Sequence, residues 1–260
     1  MRQTVIGKET DFNYVIELNK EFILDDLQQI KDRTDDENKG IQKFPRSNKE
    51  IIKSIYNSLF GYTTEILISG YSLGLNIEKL LPLFNDSITY LNHSWGQRTA
   101  EEFTFGDDPV PYFTYDQYWK LLTMLSLGVL LDIPQEDFIK LVKIREKVSE
   151  KDVLLDTIIA FRVSNYVISE HIMQTNPYQD LSSMLIKKTF TIEALKKYLS
   201  KQWYKDNKQM YWFDYHKDSK LYFGYWSFES GALVKILGLD DTLLKDQKYY
   251  PYDMVHWKIS

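Results

Sequence analysis

Apolar positions in this chain recur mostly every three or four residues. Phe12, Val15, Ile16, Leu18, Phe22, Ile23, Leu27 and Ile30 mark a long first helix. The charged stretch Asp32 to Gly40 then reads as a solvated loop or a frayed helix end. Ser47 and Glu50 have capping-box spacing, and Ile51, Ile52, Ile55, Leu59 and Tyr62 follow on one helical face. Asn76 is placed to cap a further helix with Leu80, Leu81, Phe84, Ile88 and Leu91 together, and Pro82 marks a kink or a later start. Trp95 to Pro111, holding Gly96, Gly106 and Pro109, reads as the longest irregular loop. A strongly apolar helix is predicted from Tyr115 to Leu131, with Pro134 in the first turn of the next. Helical periodicity returns over Phe138–Val148, Val153–His171 and Ile192–Tyr204.

The end of the chain is patterned differently. Tyr211 to Tyr225 is aromatic and polar without a clear period, and predicts a loop or short hairpin. Trp226, Glu229, Leu233, Ile236 and Leu237 then share one helical face, and Gly238 stands where a helix C-cap glycine belongs. Asp240 and Asp241 are placed to cap a short final helix, and Tyr249-Tyr250-Pro251-Tyr252-Asp253 reads as extended, since a residue before proline avoids the helical region. The expected fold is all-α, bundle-like, with two packed helical halves, 1–131 and 132–260.

Composition sharpens this reading. The 260 residues include 11 Gly and 7 Pro, fewer than a turn-rich fold needs, and no Cys, which removes disulfides, thiolate metal sites and cysteine nucleophiles. The longest apolar stretch, Leu121 to Leu131, is well short of the ~20 residues of a membrane span, and the first residues lack the apolar core of a signal peptide. The expected setting is cytoplasmic, with no membrane. The net charge of −5 argues against direct nucleic-acid binding. Residues 1–110 carry 18 Asp and Glu against 12 Lys and Arg, whereas residues 111–260 carry 19 against 20.

Gly70-Tyr71-Ser72-Leu73-Gly74 matches the G-x-S-x-G pattern in which a strand-to-helix turn exposes a serine nucleophile. The sequence before it reads as helices rather than the strands such a site needs, so a helix hairpin turning at Gly74 is the competing reading. The four histidines, His93, His171, His216 and His256, lie too far apart in sequence for a local metal motif, and no phosphate-binding glycine loop occurs. No metal and no cofactor are expected. Adjacent acids recur at Asp25-Asp26, Asp35-Asp36-Glu37, Glu101-Glu102, Asp107-Asp108 and Asp240-Asp241. The aromatics from Tyr211 to Trp226 have only Lys217 and Lys220 among them, too few cations for a base-stacking platform.

The segment Gly224-Tyr225-Trp226-Ser227-Phe228-Glu229-Ser230-Gly231-Ala232-Leu233-Val234-Lys235-Ile236-Leu237-Gly238-Leu239-Asp240-Asp241, with Tyr249-Tyr250-Pro251-Tyr252-Asp253 after it, resembles the C-terminal signature of PoNi-type immunity proteins. The helix ending in Tyr71-Ser72-Leu73-Gly74, the helix through Leu80–Leu91 and the apolar helix ending near Leu131 resemble that family's N-terminal domain. The resemblance implies a non-enzymatic protein that binds and neutralises a cognate DNase toxin of a bacterial polymorphic toxin system. A serine hydrolase using Ser72 and a generic helical adaptor are the alternatives. Tyr225, Trp226, Glu229, Gly231, Asp240, Asp241, Tyr250, Pro251 and Asp253 are then expected to serve the fold, with Trp226 and Glu229 on one helix face. Partner contacts are expected from Asp35, Asp36, Glu37, Glu101, Glu102, Asp107 and Asp108, in segments that read as exposed and irregular, because a DNase presents a basic face to DNA.

Overall fold

The computed structural model describes residues 1–2, 7–104, 110–218 and 220–258. Every regular element among them is a helix. In chain order these are α1 (Glu9–Asn38), α2 (Asn48–Leu73), α3 (Leu81–Ser94), α4 (Tyr115–Leu130), α5 (Gln135–Arg145), α6 (Val153–Arg162), α7 (Gln179–Ile186), α8 (Ile192–Lys201), α9 (Trp203–Asp206), α10 (Tyr215–Asp218), α11 (Phe228–Leu237) and α12 (Tyr252–His256). No helix among the described residues is long and apolar enough to cross a membrane. The chain divides into two compact units, one of Met1–Arg98 with Asp214–Gly224, the other of Thr99–Phe213 with Tyr225–Ser260.

In the first unit α2 packs against both α1 and α3, and is therefore buried almost all round from Thr63 to Ser72. The capping box forms as the sequence predicts: Glu50 N–H donates to Ser47 Oγ and Ser47 N–H to Glu50 Oε2. Gly74 ends α2 at φ 94°, a conformation that side chains resist. Asn76 caps a single 3-10 turn, Ile77–Leu80, and α3 starts after it with Pro82 in its first turn, so Pro82 marks a later start rather than a kink. α1 runs through Asn38, further than the hydrophobic pattern reaches. Its last turn carries no basic residue to answer the negative end of the helix dipole, and its end carbonyls instead accept main-chain hydrogen bonds from Lys39, Gly40 and Ile41. Tyr222 packs on Phe12, with ring centroids 5.4 Å apart. The described residues of the aromatic stretch are turns, the short α10 and irregular backbone, with no strand among them.

In the second unit α4 is the central helix, with α5, α6 and α11 against it. It opens with a capping box of Thr114 and Gln117. Pro134 stands at the N-cap of α5, one residue ahead of the position the sequence predicts. α6 stops at Arg162, not at His171. Tertiary hydrogen bonds override the helical period here: Asp152 caps the helix through Leu155 N–H and also accepts from Met173 N–H, Val153 N–H donates to the His171 carbonyl, and Asp156 accepts from Ser169 N–H. The chain after Arg162 is thereby folded back onto the start of its own helix. Beneath it, Arg145 reaches Asp156 at 3.4 Å and donates to the carbonyls of Val148 and Glu150 through its two terminal nitrogens, so this buried charge is paired. α7 has no counterpart in the sequence expectations. α12 replaces the expected extended end, because Pro251 occupies the N-cap, where a missing N–H costs nothing.

Candidate functional site

The first acidic group ends α1. Asp36, expected in an exposed irregular segment, is buried and helical. It sits 3.2 Å from Arg33 and 2.8 Å from Lys43, and its carbonyl accepts from Ile41 N–H. The Lys43 hydrogen bond, helped by the nearby positive charges, holds its carboxyl below the usual range. Arg33 also lies over the Phe44 ring. Asp36 thus fastens the link between α1 and α2, and its sequence neighbours are left to face outward. Asp35 and Glu37 are exposed, with Lys49 3.4 Å from Glu37. In the second unit Glu101 and Glu102 stand exposed on a 3-10 turn, Glu101–Phe103. The turn is anchored by buried Phe103 against Phe113, and Glu102 accepts from Thr99 N–H. Asp107 and Asp108 lie outside the described residues. The charge difference between residues 1–110 and the rest does not carry over to the compact units: the first holds 16 acids and 14 bases, the second 21 and 18.

Ser72 sits inside α2 with no exposed surface. Its hydroxyl lies within hydrogen-bond distance of the carbonyls of Ile68 (2.8 Å) and Phe223 (3.1 Å). The two motif glycines have packing reasons: a side chain at Gly70 would meet Leu75 and Leu80, and Gly74 is the left-handed cap. No strand-to-helix turn exists here, and a buried hydroxyl pointing at main-chain carbonyls is not presented to a substrate.

The C-terminal signature gathers around α11. Glu229 is fully buried and accepts from Trp203 Nε1 at 2.7 Å and from Ser227 Oγ at 2.6 Å. Burial raises its pKa, against the hydrogen bonds that lower it. Buried Tyr178 and Tyr198 lie near enough that its charge adds to the upward shift that burial gives their phenols. Trp226 is 8% exposed and precedes the helix, whose N-cap is Ser227, so it does not share a helical face with Glu229 as the sequence spacing suggests. Tyr225 donates to the Trp212 carbonyl and packs on the Trp212 ring. A Cβ on Gly231 would stand 2.7 Å from Pro251, so the glycine lets the C-terminal segment approach α11 closely. Asp241 is buried, accepts from Tyr250 Oη at 2.7 Å and lies 2.7 Å from His256 Nε2. Asp240 does the capping instead, accepting from Thr242 N–H, while Asp253 is exposed. Sequence spacing did not reveal Trp203 or Ser227 as partners of Glu229.

Two family descriptions match the chain: "PoNe immunity protein (PoNi), N-terminal" over residues 4–143 and "PoNe immunity proteins (PoNi), C-terminal" over residues 150–254. No curated protein matches. The fold is similar to that of protein PA2201 from Pseudomonas aeruginosa, known from a crystal structure, with a TM-score of 0.62 and 22% identity over 91% of this chain and 86% of that one. The matched spans take in both the helices around α2 and the signature around α11, and on that evidence the chain belongs to the PoNe immunity protein (PoNi) family.

Proposed function

We propose that this protein binds a cognate PoNe-type DNase toxin and neutralises it in the cytoplasm, without catalysis of its own. The observation that carries this reading is the pair of family matches, which between them account for residues 4–143 and 150–254. The burial of Ser72 inside α2 supports a binding role over the hydrolase alternative.

Docking is assigned to the exposed acids Asp35 and Glu37 at the end of α1 and Glu101 and Glu102 on the 3-10 turn, together with Asp107 and Asp108. A nuclease that attracts a polyanion presents lysines and arginines, and carboxylates on the inhibitor meet them in place of phosphates. Asp36 contributes indirectly, by holding its turn. The test is co-expression with the neighbouring nuclease toxin in a sensitive host. Immunity predicts restored growth with the wild-type protein. Continued killing despite soluble expression, or labelling of the protein by a fluorophosphonate that Ser72→Ala abolishes, would overturn it.

A further inference from the structure

The second unit holds more acids than bases, yet Lys196 to Lys208 carries five lysines against the single carboxylate of Asp206. Two of these, Lys201 at the end of α8 and Lys205 on α9, line a cleft of about 380 Å³ together with Ser200, Gln247, Lys248 and Tyr249. The volume falls in the range of small-ligand pockets, about 300–1000 Å³. Two chain segments far apart in sequence build it. Ser200 Oγ donates to Gln247 Oε1 at 3.2 Å and ties the walls together. Tyr249 packs its ring on Trp203 and Tyr204, which fixes the far wall.

Three features describe the exposed lysines of this cleft. First, no carboxylate among the described residues lies within 4.0 Å of the ammonium groups of Lys201, Lys205 or Lys248, which share one cleft. Second, Lys248 lies 5.0 Å over the Tyr249 ring, and desolvation lowers its pKa. Third, Tyr249 holds φ at 71°, a costly conformation for a side-chain-bearing residue, and this turn carries Lys248 to the cleft. The chain therefore gathers three ammonium groups along one cleft, with Asp206, beside Lys205, as the opposite charge in reach. The aromatic rings do not offer a stacking surface: Tyr204 has Phe213 at 4.7 Å and Tyr249 at 5.7 Å, both stacked on it. Recognition here runs through charge and hydrogen bonds from ammonium, hydroxyl and amide groups.

We propose that the cleft formed by Lys201, Lys205 and Lys248 is a binding site for a phosphate-bearing anion. The shared chemistry is the phosphate group, supplied either by a free nucleotide or by the phosphodiester backbone of a nucleic-acid strand. The site stands independently of the immunity function. The test is calorimetric titration of the full-length protein with pyrophosphate, with adenosine 5′-monophosphate and with a short single-stranded oligonucleotide, each at low and high salt. Binding of at least one probe is expected. Losing three charge-assisted contacts should weaken it by about tenfold or more in Lys201→Gln/Lys205→Gln/Lys248→Gln. The triple Arg variant should retain binding, Lys140→Gln should bind as wild type, and the Gln variant should melt at an unchanged temperature. Mononucleotide binding no weaker than oligonucleotide binding assigns the site to a terminal phosphate. Tighter oligonucleotide binding with a steep salt slope assigns it to the backbone. Absence of binding by all three probes at low salt, or equal binding by the wild type and the Gln variant, overturns the proposal.

Discussion

The signature region around α11 and the acidic end of α1 both carry carboxylates, and they use them in opposite ways. Glu229 and Asp241 are buried, and each accepts hydrogen bonds from groups that have no solvent to turn to: the Trp203 indole, the Ser227 hydroxyl and the Tyr250 phenol. At the end of α1 only Asp36 is used in this way, while Asp35 and Glu37 project outward. A buried carboxylate fixes the identity and geometry of its neighbours, because removing it orphans them. An exposed one fixes nothing inside the unit, and the docking proposal rests on such groups. A recognisable sequence signature can therefore mark the scaffold, while the groups proposed to meet a partner lie where sequence pattern is weakest.

Substitutions can break this comparison, and the largest effect is expected at Trp226. Truncation to Ala should cost about 3–5 kcal/mol of stability, read as a lowered denaturation midpoint. Unchanged stability with lost toxin binding would move Trp226 to the interface. Glu229→Ala comes next: it orphans the Trp203 N–H at about 1–3 kcal/mol. Glu229→Gln keeps the accepting oxygen and sharpens the point through pH. The folded pKa is raised, so between the ordinary carboxylate value and the raised one the folded protein holds a proton that the unfolded chain has released. The contribution of Glu229 to stability therefore falls as pH rises through that window. Melting curves from acidic to mildly alkaline pH should decline less for Glu229→Gln than for the wild type.

Gly231→Ala sets two effects against each other. Alanine favours helix by about 1 kcal/mol, but its Cβ would meet Pro251 at 2.7 Å. Relieving such overpacking costs about 1–3 kcal/mol, so a net loss is expected in thermal melting. The smallest effect on stability belongs to charge reversal of Asp35 with Glu37, or of Glu101 with Glu102, within about 0.5 kcal/mol. These variants should instead slow association with the toxin and flatten its salt dependence. An unchanged on-rate and salt slope in both would remove the exposed acids from the docking surface.

Helix boundaries written in local chemistry were legible in the sequence: the Ser47–Glu50 box and Pro82 at starts, and the glycine exits at Gly74 and Gly238. Ends decided by distant partners were not. α6 stops at Arg162 because Asp152 and Asp156 bind the returning chain, and no local breaker announces it. α1 extends to Asn38 because Arg33 and Lys43 answer Asp36, a pairing that period analysis does not register. The same limit applies to the candidate sites. The acidic residues were visible as residue types, but which of them is buried depends on ion pairs. The lysine cleft joins α8 and α9 to the Gln247–Tyr249 turn, so spacing along the chain gives no sign of it.

The most direct measurement titrates purified protein against the purified nuclease domain of its cognate toxin while DNA cleavage is followed. Immunity predicts cleavage falling to zero at a stoichiometric ratio, with Ser72→Ala inhibiting as well as the wild type and the acid-reversal variants inhibiting more slowly. Undiminished cleavage at a large molar excess of folded protein would contradict it.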